Sequence, residues 1–200
     1  MRTAQVTTTL FVLGSLMLSG CGSTPGDATN RQGGDEPVTA RSIAFIASEH
    51  LPKAPAEAHR GTDFDELGPG WVGTELEFKP TDGHVAPRFS IAVGSDPAGD
   101  LTDCTEARET CVKTDGVTLR WQLETPEEDP GGVEVVAVKG DTVVAMFQSG
   151  ESILGDPRKQ DLQISVRAMI DVATDPRLNA TTSQSAVDAG DALPYWRGKG

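Results

Sequence analysis

Basic side chains are the first shortage in this chain. Its 200 residues carry 17 Lys and Arg against 30 Asp and Glu, a formal net charge of −13. An acidic chain repels nucleic acid and anionic lipid surfaces. No Lys- or Arg-rich stretch offsets that repulsion, so no nucleic-acid partner is expected. Histidine is scarcer still: His50, His59 and His84 are scattered, and the chain has no His-Glu-x-x-His, no Gly-x-Ser-x-Gly elbow and no phosphate loop. The sequence therefore predicts a non-enzyme, with no catalytic residues, no cofactor and no metal. A hydrolase built from groups that meet only in space is the enzymatic alternative. Long apolar runs are missing too. The stretch Leu10–Leu18 is broken by Gly14 and Ser15 and falls short of the roughly 20 residues that cross a bilayer.

Two partial patterns meet the same test. "GPGWVG", Gly68–Gly73, matches Gly-x-Gly-x-x-Gly, but dinucleotide binding needs a helix to start within it. Here a strand pattern follows and Pro69 removes a donor, so a turn is expected. Of the acidic clusters Asp63/Asp65/Glu66, Asp96/Asp100/Asp103 and Glu127/Glu128/Asp129, only Asp63 and Asp65 alternate as a calcium loop asks and no turn glycine follows them correctly, so all three read as solvated loops.

What is present begins at the N-terminus. Arg2 precedes an apolar core of about nine positions, then the small residues Ser19 and Gly20, the layout of a secretory signal peptide. The exit "LSGC" (Leu18, Ser19, Gly20, Cys21) resembles the lipobox of bacterial lipoproteins. The resemblance implies cleavage before Cys21, a diacylglycerol on its thiol, and residence at the cell membrane on the extracytoplasmic face. One acyl chain binds marginally, at ~0.8 kcal/mol per buried methylene, whereas two or more anchor stably. The membrane partner is then reached through the acyl chains on Cys21 alone.

With Cys21 assigned to lipid, Cys104 and Cys111 remain in an oxidising setting where pairing is the default. A loop this short, "CTEARETC", contributes about 2.5 kcal/mol in the chain-entropy model. The bond needs Cα atoms ~5.5 Å apart, whereas a continuous helix would hold them ~10.5 Å apart. If they bond, "TEAR" forms a turn at most. A zinc pair fits poorly, because its sites want shorter Cys spacing and four ligands.

Composition divides the chain into a signal peptide (1–20), a lipidated Gly- and Pro-rich tether (21–38), one domain (39–178) and a weakly ordered C-terminal tail (179–200). The domain opens with a helix capped by Thr39, with Ile43, Ala44, Ala47 and Leu51 on one face and Pro52 as its stop. It closes with a helix capped by Ser165, with Val166, Met169, Ile170 and Ala173 on one face. The two align at an offset of 126 residues, which any two amphipathic helices could show. Between them "WVGTELEFK", "RFSIAVG" and "VTLRWQLE" alternate as half-buried strands. "VEVVAVKGDTVVAMFQSG" is a hairpin turning at Gly140-Asp141, apolar on both faces and so central. The expected fold class is α+β: about five mostly antiparallel strands with a helix at each end of the domain. This order resembles the PsbP-like fold of some envelope lipoproteins. The segment "GDPRKQDLQISVRAMIDVATDPRL" with the Asp129–Gly132 turn is similar to uncharacterised actinobacterial envelope lipoproteins, a likeness that brings no activity with it.

The candidate interaction residues are the aromatics outside the strand pattern. Trp71 follows the Gly-Pro-Gly turn, and Tyr195, Trp196 and Arg197 form a terminal patch. Aromatics beside Arg are common anchors of recognition, while docking on the domain's own surface is the plainer role. Trp121 lies on an inward face and is expected in the core. The leading expectation is a non-enzymatic, lipid-anchored module binding an envelope protein. A small-ligand module, with the ligand between sheet and helix, is the alternative.

Overall fold

The computed structural model describes residues 34–61, 67–81, 83–96, 99–104, 110–114 and 116–198. The signal peptide, Cys21 and the tether through residue 33 lie outside the described residues, as do Asp63, Asp65, Glu66 and the "TEARE" stretch between the cysteines.

Seven antiparallel strands form the main sheet: β2 (Glu57–Arg60), β3 (Val72–Glu77), β4 (Arg88–Gly94), β5 (Thr110–Thr114), β6 (Val117–Gln122), β7 (Gly132–Lys139) and β8 (Thr142–Ser149). Their order is β2-β3-β4-β8-β7-β6-β5. A second, two-stranded sheet pairs β1 (Glu36–Pro37) with β9 (Thr181–Thr182). The α+β class and the antiparallel pairing hold, but five strands is an undercount. The missed strands are the polar edges β2 and β5 and the two-residue β1 and β9, whose sequences lack an apolar alternation.

The doubly apolar hairpin is central. Lys139 faces Thr142 across a two-residue turn, with Gly140 at φ 63° supplying the left-handed conformation. One face of the sheet carries Leu76, Phe89, Ile91, Val135, Met146, Leu119 and Trp121, all buried. Against it lie α1 (Ala40–Ser48), along β2 and β3, and α2 (Val166–Thr174), along β7 and β8. Thr39 caps α1 in a capping box with Ser42, and Ser165 caps α2. Ile46, off the expected face of α1, is buried as well, and a third helix packs on α1.

That helix, α3 (Gln184–Asp191), corrects the expectation of a weakly ordered tail and of a helix only at each end. Its apolar content is low because it packs through small residues: its buried positions are Ala186 and Gly190. Domain structure thus runs from Glu36, within the expected tether, to the end of the tail at 198. Leu123, which the alternation of "VTLRWQLE" puts on the same inward face as Leu119 and Trp121, instead lies beyond the end of β6 and is exposed.

The other sheet face is not covered by an α-helix among the described residues; only a short 3-10 turn, Asp100–Thr102, packs there. Val136, Val143 and Ala145 form a small cluster there, closed over by Trp71 and Leu101. Phe147 and Val138 on the same face are each 46% exposed.

An ionic cluster joins the ends of α1 and α2 to the β7–β8 hairpin. His50 Nε2 and Asp175 Oδ2 lie 2.7 Å apart. Arg177 donates through Nε (3.0 Å) and NH2 (2.6 Å) to the Asp175 carboxylate, and through NH1 to Glu49 (2.6 Å). Lys139 Nζ donates to the carbonyls of Asp175 and Leu178, which closes the end of α2. Burial lowers the Lys139 ammonium to about 8, against the opposing pull of the Asp175 carboxylate.

Candidate functional site

The first turn of α1 and the last turn of α3 meet at unusually short range. A Cβ added to Gly190 would lie 2.7 Å from the Arg41 carbonyl carbon and the Ser42 nitrogen, so only glycine permits this approach. The crossing sets Arg41 beside the end of α3, where its NH1 donates to the Asp191 carbonyl at 3.3 Å. The Asp191 carboxylate, itself 66% exposed, stands 3.8 Å away.

The chain then turns back toward the sheet. Ala58 of β2 donates its N–H to the Tyr195 carbonyl (3.0 Å) and accepts from the Arg197 N–H (2.7 Å). This short parallel bridge swings Trp196 over α1, with the Arg41 guanidinium carbon 5.2 Å from the ring centroid. A cation over an indole face is held electrostatically as well as by packing. The Trp196 indole nitrogen is buried and has no hydrogen-bond partner.

These elements bound an open cleft of about 470 Å³ on the helical side of the sheet. Arg41, Trp196 and Asp191 form one side, Val187 of α3 lies beside them, and Arg60 and Val72 come from β2 and β3. Arg60 makes no ion pair among the described residues; its neighbour His59 faces the opposite side of the sheet, within 3.8 Å of both Glu75 and Glu77. In a chain with a net charge of −13, the cleft thus carries two guanidinium groups and one exposed carboxylate.

The sequence candidates separate in space. Trp196 lines the cleft, while Tyr195 contributes backbone pairing and a half-buried ring that packs on the core. Arg197 points outward, with its Nε 3.4 Å from Glu57. Trp71 sits on the other face, so the aromatics do not form one surface. Trp121 is 7% exposed and belongs to the core, as expected. Cys104 and Cys111 are at disulfide-bonding distance with Cα atoms 5.5 Å apart, which pins the edge strand β5. Arg41, Arg60 and Asp191 were not singled out in the sequence. The only local signal was Gly190, a glycine three positions before the Leu-Pro-Tyr-Trp run.

A second polar group lies at the other end of the sheet. The Glu151 carboxylate, 6% exposed, accepts from Gln148 Nε2 and the Gln163 N–H, and lies 2.9 Å from His84 Nδ1. Its partners tie the loop after β8 to the approach to α2. Each of the three histidines thus faces a carboxylate or a carbonyl, and none is hydrogen-bonded to a hydroxyl or thiol among the described residues. No cluster of metal-ligating side chains occurs among the described residues, and no helix among them is long and apolar enough to cross a membrane.

No family model matches the chain, and neither the curated proteins nor the solved structures include a match.

Proposed function

We propose that the chain is a lipid-anchored, extracytoplasmic and non-enzymatic binding module that takes a small ligand in the cleft between α1, α3 and the β2–β3 edge. The carrying observation is the cleft itself. Its volume, about 470 Å³, exceeds the ~300 Å³ at which ligand pockets begin. Its guanidinium is held in place beforehand by Trp196 and the Asp191 carbonyl, so little ordering cost falls on binding. The tether and the lipobox supply the setting: a diacylated Cys21 would hold the domain at the outer face of the cell membrane.

A protein partner is the second reading, favoured by Phe147 and Val138 on the open sheet face. Native mass spectrometry of the chain released from membranes in detergent separates the two. The first reading expects a low-mass adduct on the wild type that is lost on Trp196→Ala. An adduct of protein mass that survives Trp196→Ala and disappears on Phe147→Asp would replace the cleft by the open face. The anchor is tested by feeding labelled fatty acid: label in the wild type and none in Cys21→Ala is expected, and an unlabelled mature wild type overturns it.

A further inference from the structure

We infer that the ligand of this cleft bears a phosphate group, so that the site takes a phosphate ester rather than a neutral molecule; the inference rests on the cleft being the binding site. An occupant of the cleft meets the guanidinium of Arg41, whose side chain is 25% exposed, and that of the exposed Arg60. Arg41 keeps one backbone acceptor and the face of Trp196. Arg60 is exposed and has no ion-pair partner among the described residues, so its forked N–H groups can turn to an anionic occupant without giving up an ion pair there.

The donors also outnumber the acceptors. Two guanidinium groups offer forked N–H pairs, the geometry that matches phosphate and carboxylate oxygens. Against them stand the carboxylate of Asp191, 66% exposed and 3.8 Å from Arg41, and the hydroxyl of Thr39, already engaged with Ser42. A phosphate monoester brings three acceptor oxygens, enough to accept from both guanidinium groups at once while the Asp191 carboxylate stays beside Arg41, whereas a carboxylate offers two. The apolar wall of Val72 and Val187 then receives the organic part of the ester. The net charge of −13 works against anions at long range. A phosphate will therefore bind here only through short-range contacts, and binding will weaken with salt.

A lipid headgroup and a soluble ester share this chemistry, and the experiment separates them. The full chain in detergent micelles is followed by the NMR signals of the Arg41 and Arg60 Nε–H groups and the Trp196 indole N–H. Glycerol 3-phosphate, glycerol and an apolar neutral fragment such as indole are titrated in parallel. The expected result is saturable movement of all three signals with glycerol 3-phosphate, at least tenfold tighter than with glycerol or indole. Arg60→Gln should weaken it at least tenfold, and Arg60→Lys should restore part of the loss. A second arm compares nanodiscs of phosphatidic acid, a monoester, and phosphatidylcholine, a diester: movement of these signals only with the former assigns the phosphate to a lipid headgroup, and movement with glycerol 3-phosphate alone assigns it to a soluble ester. If indole or glycerol moves the cleft signals as strongly as the phosphate does, the ligand class is wrong while the cleft stands. If no probe moves them, the cleft is not the site and the inference falls with it.

Discussion

At the scale of single residues, Asp175 carries the most consequence. Burial alone would raise its carboxyl, but hydrogen bonds from Arg177 and His50 outweigh that and bring it down to about 2. In the unfolded chain an Asp titrates near ~3.9. The carboxylate therefore stabilises the fold fully above about pH 4, and the contribution is lost as pH falls through about 2. With solvent screening around Arg177, whose side chain is 35% exposed, the contribution is on the order of 1–2 kcal/mol. Urea denaturation from pH 2 to 6 checks it. The wild type should lose stability below pH 4 more steeply than Asp175→Asn, and equal slopes would show that the carboxylate is not held by its neighbours.

At the scale of elements, Gly190 sets the distance between α1 and α3. Gly190→Ala places a methyl 2.7 Å from the Arg41–Ser42 backbone, so α3 must shift outward and take Asp191 and the Trp196 segment with it. The expected outcome is a loss of about 1–3 kcal/mol, the range for overpacking, although alanine is the better helix former by ~1 kcal/mol. Thermal denaturation gives the loss, and altered Trp196 fluorescence gives the displaced cleft wall. A stabilised Gly190→Ala would mean that the two helices do not touch as described. The contrast with α1 and α2 shows what the sequence made legible. Those helices announce themselves through a capping Thr39 or Ser165, a 3.6-residue apolar repeat and a stop, and the β7–β8 hairpin through Gly140-Asp141. In α3 the buried face is made of Ala186 and Gly190, which carry almost no hydrophobic signal. Strands β2 and β5 were hidden for a related reason: an edge strand buries little, so its side chains need not alternate.

At the scale of the whole molecule, the sheet has one helix-covered face and one partly open face, and the cleft belongs to the covered side. The cleft itself was barely legible, because its walls come from α1, α3, β2, β3 and the chain after α3, brought together only by topology. Trp196 was visible as an aromatic beside Arg197, but its working neighbour is Arg41, 155 positions earlier in the chain. The two rims of the main sheet are also treated differently. At one, Cys104 and Cys111 pin β5; at the other, the backbone of Tyr195 and Arg197 occupies the outward N–H and C=O of Ala58. Deleting residues from Tyr195 onward would leave those groups bare, as a template for strands of other molecules. The shortened protein should form thioflavin-positive polymers at concentrations where the intact chain scatters as a single species, and a shortened protein that stays dispersed would contradict this. The C-terminal residues then serve as a stopper against fibre growth, sealing the rim of the sheet that the disulfide does not reach.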